Sequence, residues 1–188
     1  MRRKVYTKEQ ILKAAYEVIS KEGFSGFTAR NIAKKMGIST QPIYLEFKNM
    51  DDLKNTLLDS IFDKLRNDIF PVEHTGDSVV DLNLNYINFA KKQHQLYMAL
   101  YIDEHGGGQR MRDFSYDYFT NLIKTDEAYA ELTSKQIEAL FNGLWIVSTG
   151  LASLMTSGIM HPTEDQIIDL IKQTKKMILE LDHFEGIN

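Results

Sequence analysis

Apolar residues recur three and four positions apart through most of the chain, and no stretch alternates apolar with polar as a half-buried strand would. This pattern predicts an all-α protein of nine helices. Ile11, Ala15, Val18 and Ile19 form one stripe of a first helix. Thr7 opens it, with Gln10 three residues on as a capping box, and Gly23 ends it. Phe24 and Phe27 then pack back as core. Ile32, Ala33 and Met36 mark a second helix, capped by Thr28 and ended at Gly37, where a left-handed residue fits without steric cost. Ile38 plugs the corner. Ser39 is expected to cap a short third helix from Thr40 to Phe47, with Ile43 and Phe47 inward and Thr40, Gln41 and Tyr44 outward. Pro42 falls in its first turn, where the backbone N–H has no intrahelical partner. Asn49 caps a fourth helix, which Leu53, Leu57, Ile61 and Leu65 carry to about Phe70 before Pro71 stops it.

Helices 5, 6 and 7 are expected over Asp77–Gln93, His94–Glu104 and Gln109–Lys124, with Gly106, Gly107 and Gly108 stopping the sixth. Thr133 with Gln136, and Thr163 with Gln166, are two further capping boxes that open helices 8 and 9. Helix 8 ends at Gly158. Between Ala139 and Thr163 there is no Asp, Glu, Lys or Arg, and a membrane span needs about 20 mainly apolar residues. Asn142, Ser148, Thr149, Ser153, Thr156 and Ser157 interrupt the run, so a helix buried on most sides is expected instead. Gly143, Gly150 and Ser157 recur every seven residues as a ridge that lets another helix approach closely. In helix 9, Ile167, Ile171, Thr174, Ile178 and Leu181 follow four-three spacing. Such a seam packs either inside the chain or against a second copy.

Two helices joined by a Gly-containing turn, the second bearing exposed hydrogen-bonding side chains, make a helix-turn-helix over residues 28–47. The run from Phe27 through Ile32-Ala33 and Gly37-Ile38-Ser39, then Ile43-Tyr44, Phe47 and Leu53, resembles the N-terminal domain of the TetR family of bacterial transcription regulators. The resemblance extends from Thr7 to roughly Leu57, about a quarter of the chain. It implies a three-helix DNA-binding domain over 1–50 and an effector-binding and dimerisation domain over 51–188, with helix 51–70 connecting them. Thr40, Gln41 and Tyr44 are expected to face the major groove, while Thr28, Arg30, Ser39 and Lys48 hold phosphates. Family members usually carry a Lys three residues after the Phe. Here that position is Met50, and Lys48 is the candidate to replace it. A single recognition helix reads too few bases alone, so a homodimer through helices 8 and 9 is expected, at Gly143, Gly150, Ser157, Ile167, Ile171 and Ile178.

Charge sharpens this picture. The 188 residues carry a net −4, a poor sign for a binder of polyanions. The first 50 residues, however, hold ten Lys/Arg against four acids, +6, which leaves −10 for the remainder. Such asymmetry suits a head that binds DNA on a body that repels it. Arg2, Arg3 and Lys4 read either as a solvated terminus or as an arm touching phosphates or the minor groove. The body is rich in aromatics, and Tyr86, Phe89, Tyr97, Tyr101, Tyr118, Phe141 and Trp145 are candidates to line a pocket for an aromatic or lipophilic effector. The bland reading of each is core or surface. The resemblance implies an effector pocket in this domain, with ligand binding shifting the two heads apart.

Neither a phosphate loop nor a nucleophile elbow is present, and Asp103-Glu104-His105 are adjacent rather than on one helix face. No catalytic residue, metal or cofactor is therefore expected. The basic start is not followed by an apolar run and there is no cysteine, which fits a cytoplasmic protein without a signal peptide. The function expected is a DNA-binding regulator, a repressor released from a palindromic operator by a small effector. A TetR-like activator or architectural binder with a filled body is the alternative. An all-helical enzyme is disfavoured.

Overall fold

The computed structural model describes residues 6–180, so Arg2, Arg3 and Lys4, like Leu181 in the helix 9 seam, lie outside the described residues. Among the described residues there are nine α-helices and no strand: α1 (Lys8–Glu22), α2 (Ala29–Met36), α3 (Gln41–Glu46), α4 (Met50–Lys64), α5 (Ser78–Lys92), α6 (His94–Tyr97), α7 (Gly108–Thr125), α8 (Ser134–Thr156) and α9 (Glu164–Glu180). All three capping boxes are made. Thr7, Thr133 and Thr163 each accept from the backbone N–H three residues on, and each Gln reaches back to the cap residue's N–H. α4 and α6 each run on into a wider turn, closed by the N–H of Phe70 on the carbonyl of Leu65 and by that of Asp103 on Met98.

The chain divides into two compact units, Met1–Lys64 with Gln95–Met111, and Leu65–His94 with Arg112–Asn188. The first is larger than the expected 1–50 head because α4 is part of its core. Leu53, Leu57, Leu58 and Ile61 are buried with Ile11, Ala15, Val18 and Ile19 of α1 and Ile32 and Ala33 of α2. Segment 95–111 also packs here. The Lys54 ammonium donates to the carbonyl of His105 (2.6 Å), and Arg110 donates to Asn55 Oδ1 (2.7 Å) and Asp59 (2.5 Å). The glycine run is a close-packed turn, since a Cβ on Gly106 would lie 2.0 Å from the carbonyl oxygen of Ala99.

The second unit is built on α5, α8 and α9. Asn83 of α5 accepts from Ser148 of α8 (2.8 Å), and the hydroxyls of Tyr86 and Thr149 bond at 2.9 Å. Asp77 caps α5 and accepts from the Tyr129 hydroxyl (2.6 Å) and from the Lys175 ammonium of α9. α8 is long and apolar enough to cross a membrane by length and composition, but half of its most apolar window is buried inside the chain.

Helix 9 corrects an expectation. Ile167, Ile171 and Ile178 are buried within the chain itself, at 4%, 1% and 8% exposure. Gly143 belongs with them, because a Cβ there would meet Ile178 Cδ1 at 2.5 Å. The four-three seam is therefore intramolecular core, and not available to a second copy. Gly150 and Ser157 are exposed, and nothing lies within 4 Å of a Cβ placed on Gly150. The outward stripe of these two helices is a different set: Ile146, Leu154, Leu170 and Met177, all at least 39% exposed.

Candidate nucleic-acid interface

The geometry of the helix-turn-helix starts from local chemistry. The Thr28 hydroxyl accepts from the N–H of Asn31 (3.2 Å), while Asn31 itself donates to the carbonyl of Gly26 (3.0 Å). α2 ends at Gly37 with φ 67° and ψ 37°, and the N–H of Ile38 then turns back to the carbonyl of Ala33 (3.0 Å). That left-handed step is what lets the chain reverse toward α3 without a steric penalty. Lys35 pairs with Glu17 at 2.8 Å, tying α2 to α1. A hydrogen bond from Lys35 and its charge hold the Glu17 carboxyl below its ordinary value.

α3 begins one residue later than expected. Thr40, with φ −74° and ψ −18°, precedes it and makes no capping bond through its side chain. Ser39 is exposed and is not the cap. The entry is instead a tight turn, closed by the N–H of Ile43 on the carbonyl of Thr40 (3.1 Å), with Pro42 in the first turn where no N–H is needed. Ile43 and Phe47 anchor the helix, each 1% exposed, and the Lys8 ammonium lies 5.0 Å from the Phe47 ring centre. Beyond the helix, the N–H of Lys48 donates to the Asp52 carboxylate (2.9 Å) and that of Asp52 to Asn49 Oδ1 (2.8 Å). This reciprocal cap fixes where the Lys48 side chain departs.

Of the seven residues expected to contact DNA, Thr28, Arg30, Ser39, Gln41, Tyr44 and Lys48 are exposed on this unit. Thr40, the residue before α3, is only half-exposed. Sequence reasoning missed two exposed side chains of α3, Leu45 at 70% exposure and Glu46. An apolar residue beside Ile43 in a short helix reads as core until the anchors are fixed.

Residues 11–56 match the model of the bacterial regulatory proteins of the tetR family. The matched segment, about a quarter of the chain, holds the whole helix-turn-helix of α2 and α3. The match supports a DNA-binding transcription regulator. Three solved structures share the fold. A TetR family protein described as a putative transcriptional regulator, from Vibrio parahaemolyticus, has a TM-score of 0.68 at 16% identity, over 90% of this chain and 97% of that one. A TetR-like regulator from Rhodococcus sp. RHA1 gives 0.64 at 20% identity, over 92% and 94%. FadR from Bacillus subtilis, in complex with stearoyl-CoA, gives 0.61 at 15% identity, over 94% and 100%.

The aromatic candidates are divided between the two units. Tyr97 and Tyr101 belong to the first unit, stacked on each other with centroids 5.6 Å apart, so they do not share a compact unit with the other five. In the second unit, Phe141 contacts Tyr116 (5.1 Å), Phe119 (5.6 Å) and Trp145 (5.0 Å). Tyr118 joins a separate group with Phe70 (5.1 Å) and Phe114 (6.4 Å). Burial raises the Tyr118 hydroxyl's pKa, with Arg66 opposing. Tyr86 is committed to Thr149, and Phe89 is buried. Also in the second unit, Ser115 and Thr120 of α7 and Asn142 of α8 have buried polar atoms with no hydrogen-bond partner among the described residues.

Proposed function

We propose that this protein is a homodimeric repressor in the cytoplasm that leaves a palindromic operator when a small lipophilic or aromatic molecule binds its second unit. The observation that carries the reading is the outward face of α3, where Gln41 and Tyr44 are exposed on a helix anchored by Ile43 and Phe47. Such a face reads base edges when two copies present it to successive turns of the major groove. Dimerisation is supported by the stripe of Ile146, Leu154, Leu170 and Met177 along α8 and α9, flanked by exposed Gly150. Large apolar side chains exposed on two packed helices are what an interaction surface would use.

Effector binding is supported by the second unit's own chemistry. A buried polar atom without a partner costs about 1–3 kcal/mol. A ligand that bonds Ser115, Thr120 or Asn142 recovers that cost. Release then follows if the ligand favours the arrangement of heads that does not fit the operator, by the ratio of its affinities for the two states. The test is a thermal-shift screen with acyl and aromatic compounds, repeated on the operator complex. A compound that raises Tm and weakens operator binding supports the reading. One that raises Tm and strengthens binding makes the protein an activator, and stabilisation by no compound argues for a filled body.

A further inference from the structure

We infer that Leu45 reads the 5-methyl group of a thymine in the major groove and sets base preference at that position of each half-site. The inference rests on the reading of α3 as the recognition helix. Helix residues advance by about 100° each, so Leu45 falls roughly 180° from the midpoint between Ile43 and Phe47. Those two are the buried anchors, each 1% exposed, and Leu45 is 70% exposed. It therefore stands at the centre of the outward face, with Gln41 and Tyr44 to one side and Pro42 and Glu46 to the other.

No core or apolar surface in this unit accounts for it. Among the described residues of the first unit, the exposed large apolar side chains are Tyr44, Leu45 and Ile102. Ile102 lies on a different segment, and the neighbours of Leu45 along α3 are Gln41, Tyr44, Glu46 and the half-exposed Pro42. A strongly exposed branched apolar group among mostly polar neighbours suits a surface with one apolar spot in a polar setting. The floor of the major groove is such a surface, where the thymine methyl is the single apolar group among donors and acceptors. Leucine can neither donate nor accept, so it favours a methyl and leaves the polar edges of other bases unsatisfied.

The test takes sites recovered by the full-length protein from a random duplex pool and replaces each thymine singly with deoxyuridine, which removes only the methyl. Wild type is expected to lose affinity about three- to tenfold at one symmetry-related thymine per half-site. Leu45→Ala should bind the unmodified site with a similar loss and show no further loss with deoxyuridine there, while Leu45→Met keeps the methyl dependence. Because Leu45 is exposed, Leu45→Ala should keep the wild-type Tm, which separates a contact from a folding defect. Methyl dependence that persists in Leu45→Ala, or that is absent from wild type on its own recovered sites, overturns this inference alone. Recovery of no site overturns it together with the reading of α3.

Discussion

Asp77 has three partners, and its protonation is therefore linked to stability. Burial raises its carboxyl, but hydrogen bonds from Lys175, Tyr129 and the N–H of Val80 outweigh that and hold it below the ordinary 3.8. A carboxyl depressed in the folded state stabilises above its unfolded value and loses that contribution as pH falls through the folded one. Acid unfolding of the second unit should accordingly steepen below about pH 4. Asp77→Asn should flatten that limb and cost about 1–3 kcal/mol at neutral pH, read by urea titration, since it leaves Lys175 half-buried without its counter-charge. An unchanged acid limb would remove Asp77 from the linkage. At the other end of the chain, Gln41→Ala should relax base preference by about 1–3 kcal/mol at one position. Lys48→Ala should weaken all sequences alike and lower the salt slope by about one unit. Equal losses on operator and random DNA for both variants would contradict that division between base and phosphate contacts.

Elements were legible where their signal is local. A capping box is a code three residues long, so Thr7, Thr133 and Thr163 announced their helices without reference to anything distant. Gly37 did the same for the turn. The side of a helix that meets another chain is not local. The spacing of Ile167, Ile171 and Ile178 says that a face is covered and is silent on what covers it. Leu45 was hidden for the same reason, and so was the placing of Tyr97 and Tyr101, which depends on how segment 95–111 packs. Two glycine substitutions separate these kinds of constraint. Gly106→Ala should destabilise by more than about 2 kcal/mol, because the clash is with backbone that cannot rotate away. Gly150→Ala should stabilise the single chain by up to about 1 kcal/mol in thermal melts, since within one chain it meets nothing and alanine favours the helix. Leu170→Glu with Met177→Glu should leave the monomer folded and lower the assembled mass to one chain in light scattering. A dimer that survives the pair would place the interface elsewhere.

At the scale of the whole molecule, charge and exposure point the same way. The first 50 residues carry +6 and the remainder −10, so attraction for a polyanion falls in the part of the sequence that bears α3. Two copies joined through the outward stripe of α8 and α9 would offer two such faces related by a two-fold axis, and a site with matching symmetry would be selected. Selection of duplexes from a random pool by the purified protein, at about 0.1 M salt, tests this most directly. The account predicts inverted repeats whose half-sites lie about one helical turn, ~10 base pairs, or a multiple of it apart. Enrichment of single unpaired half-sites, or none above the starting pool, would contradict it.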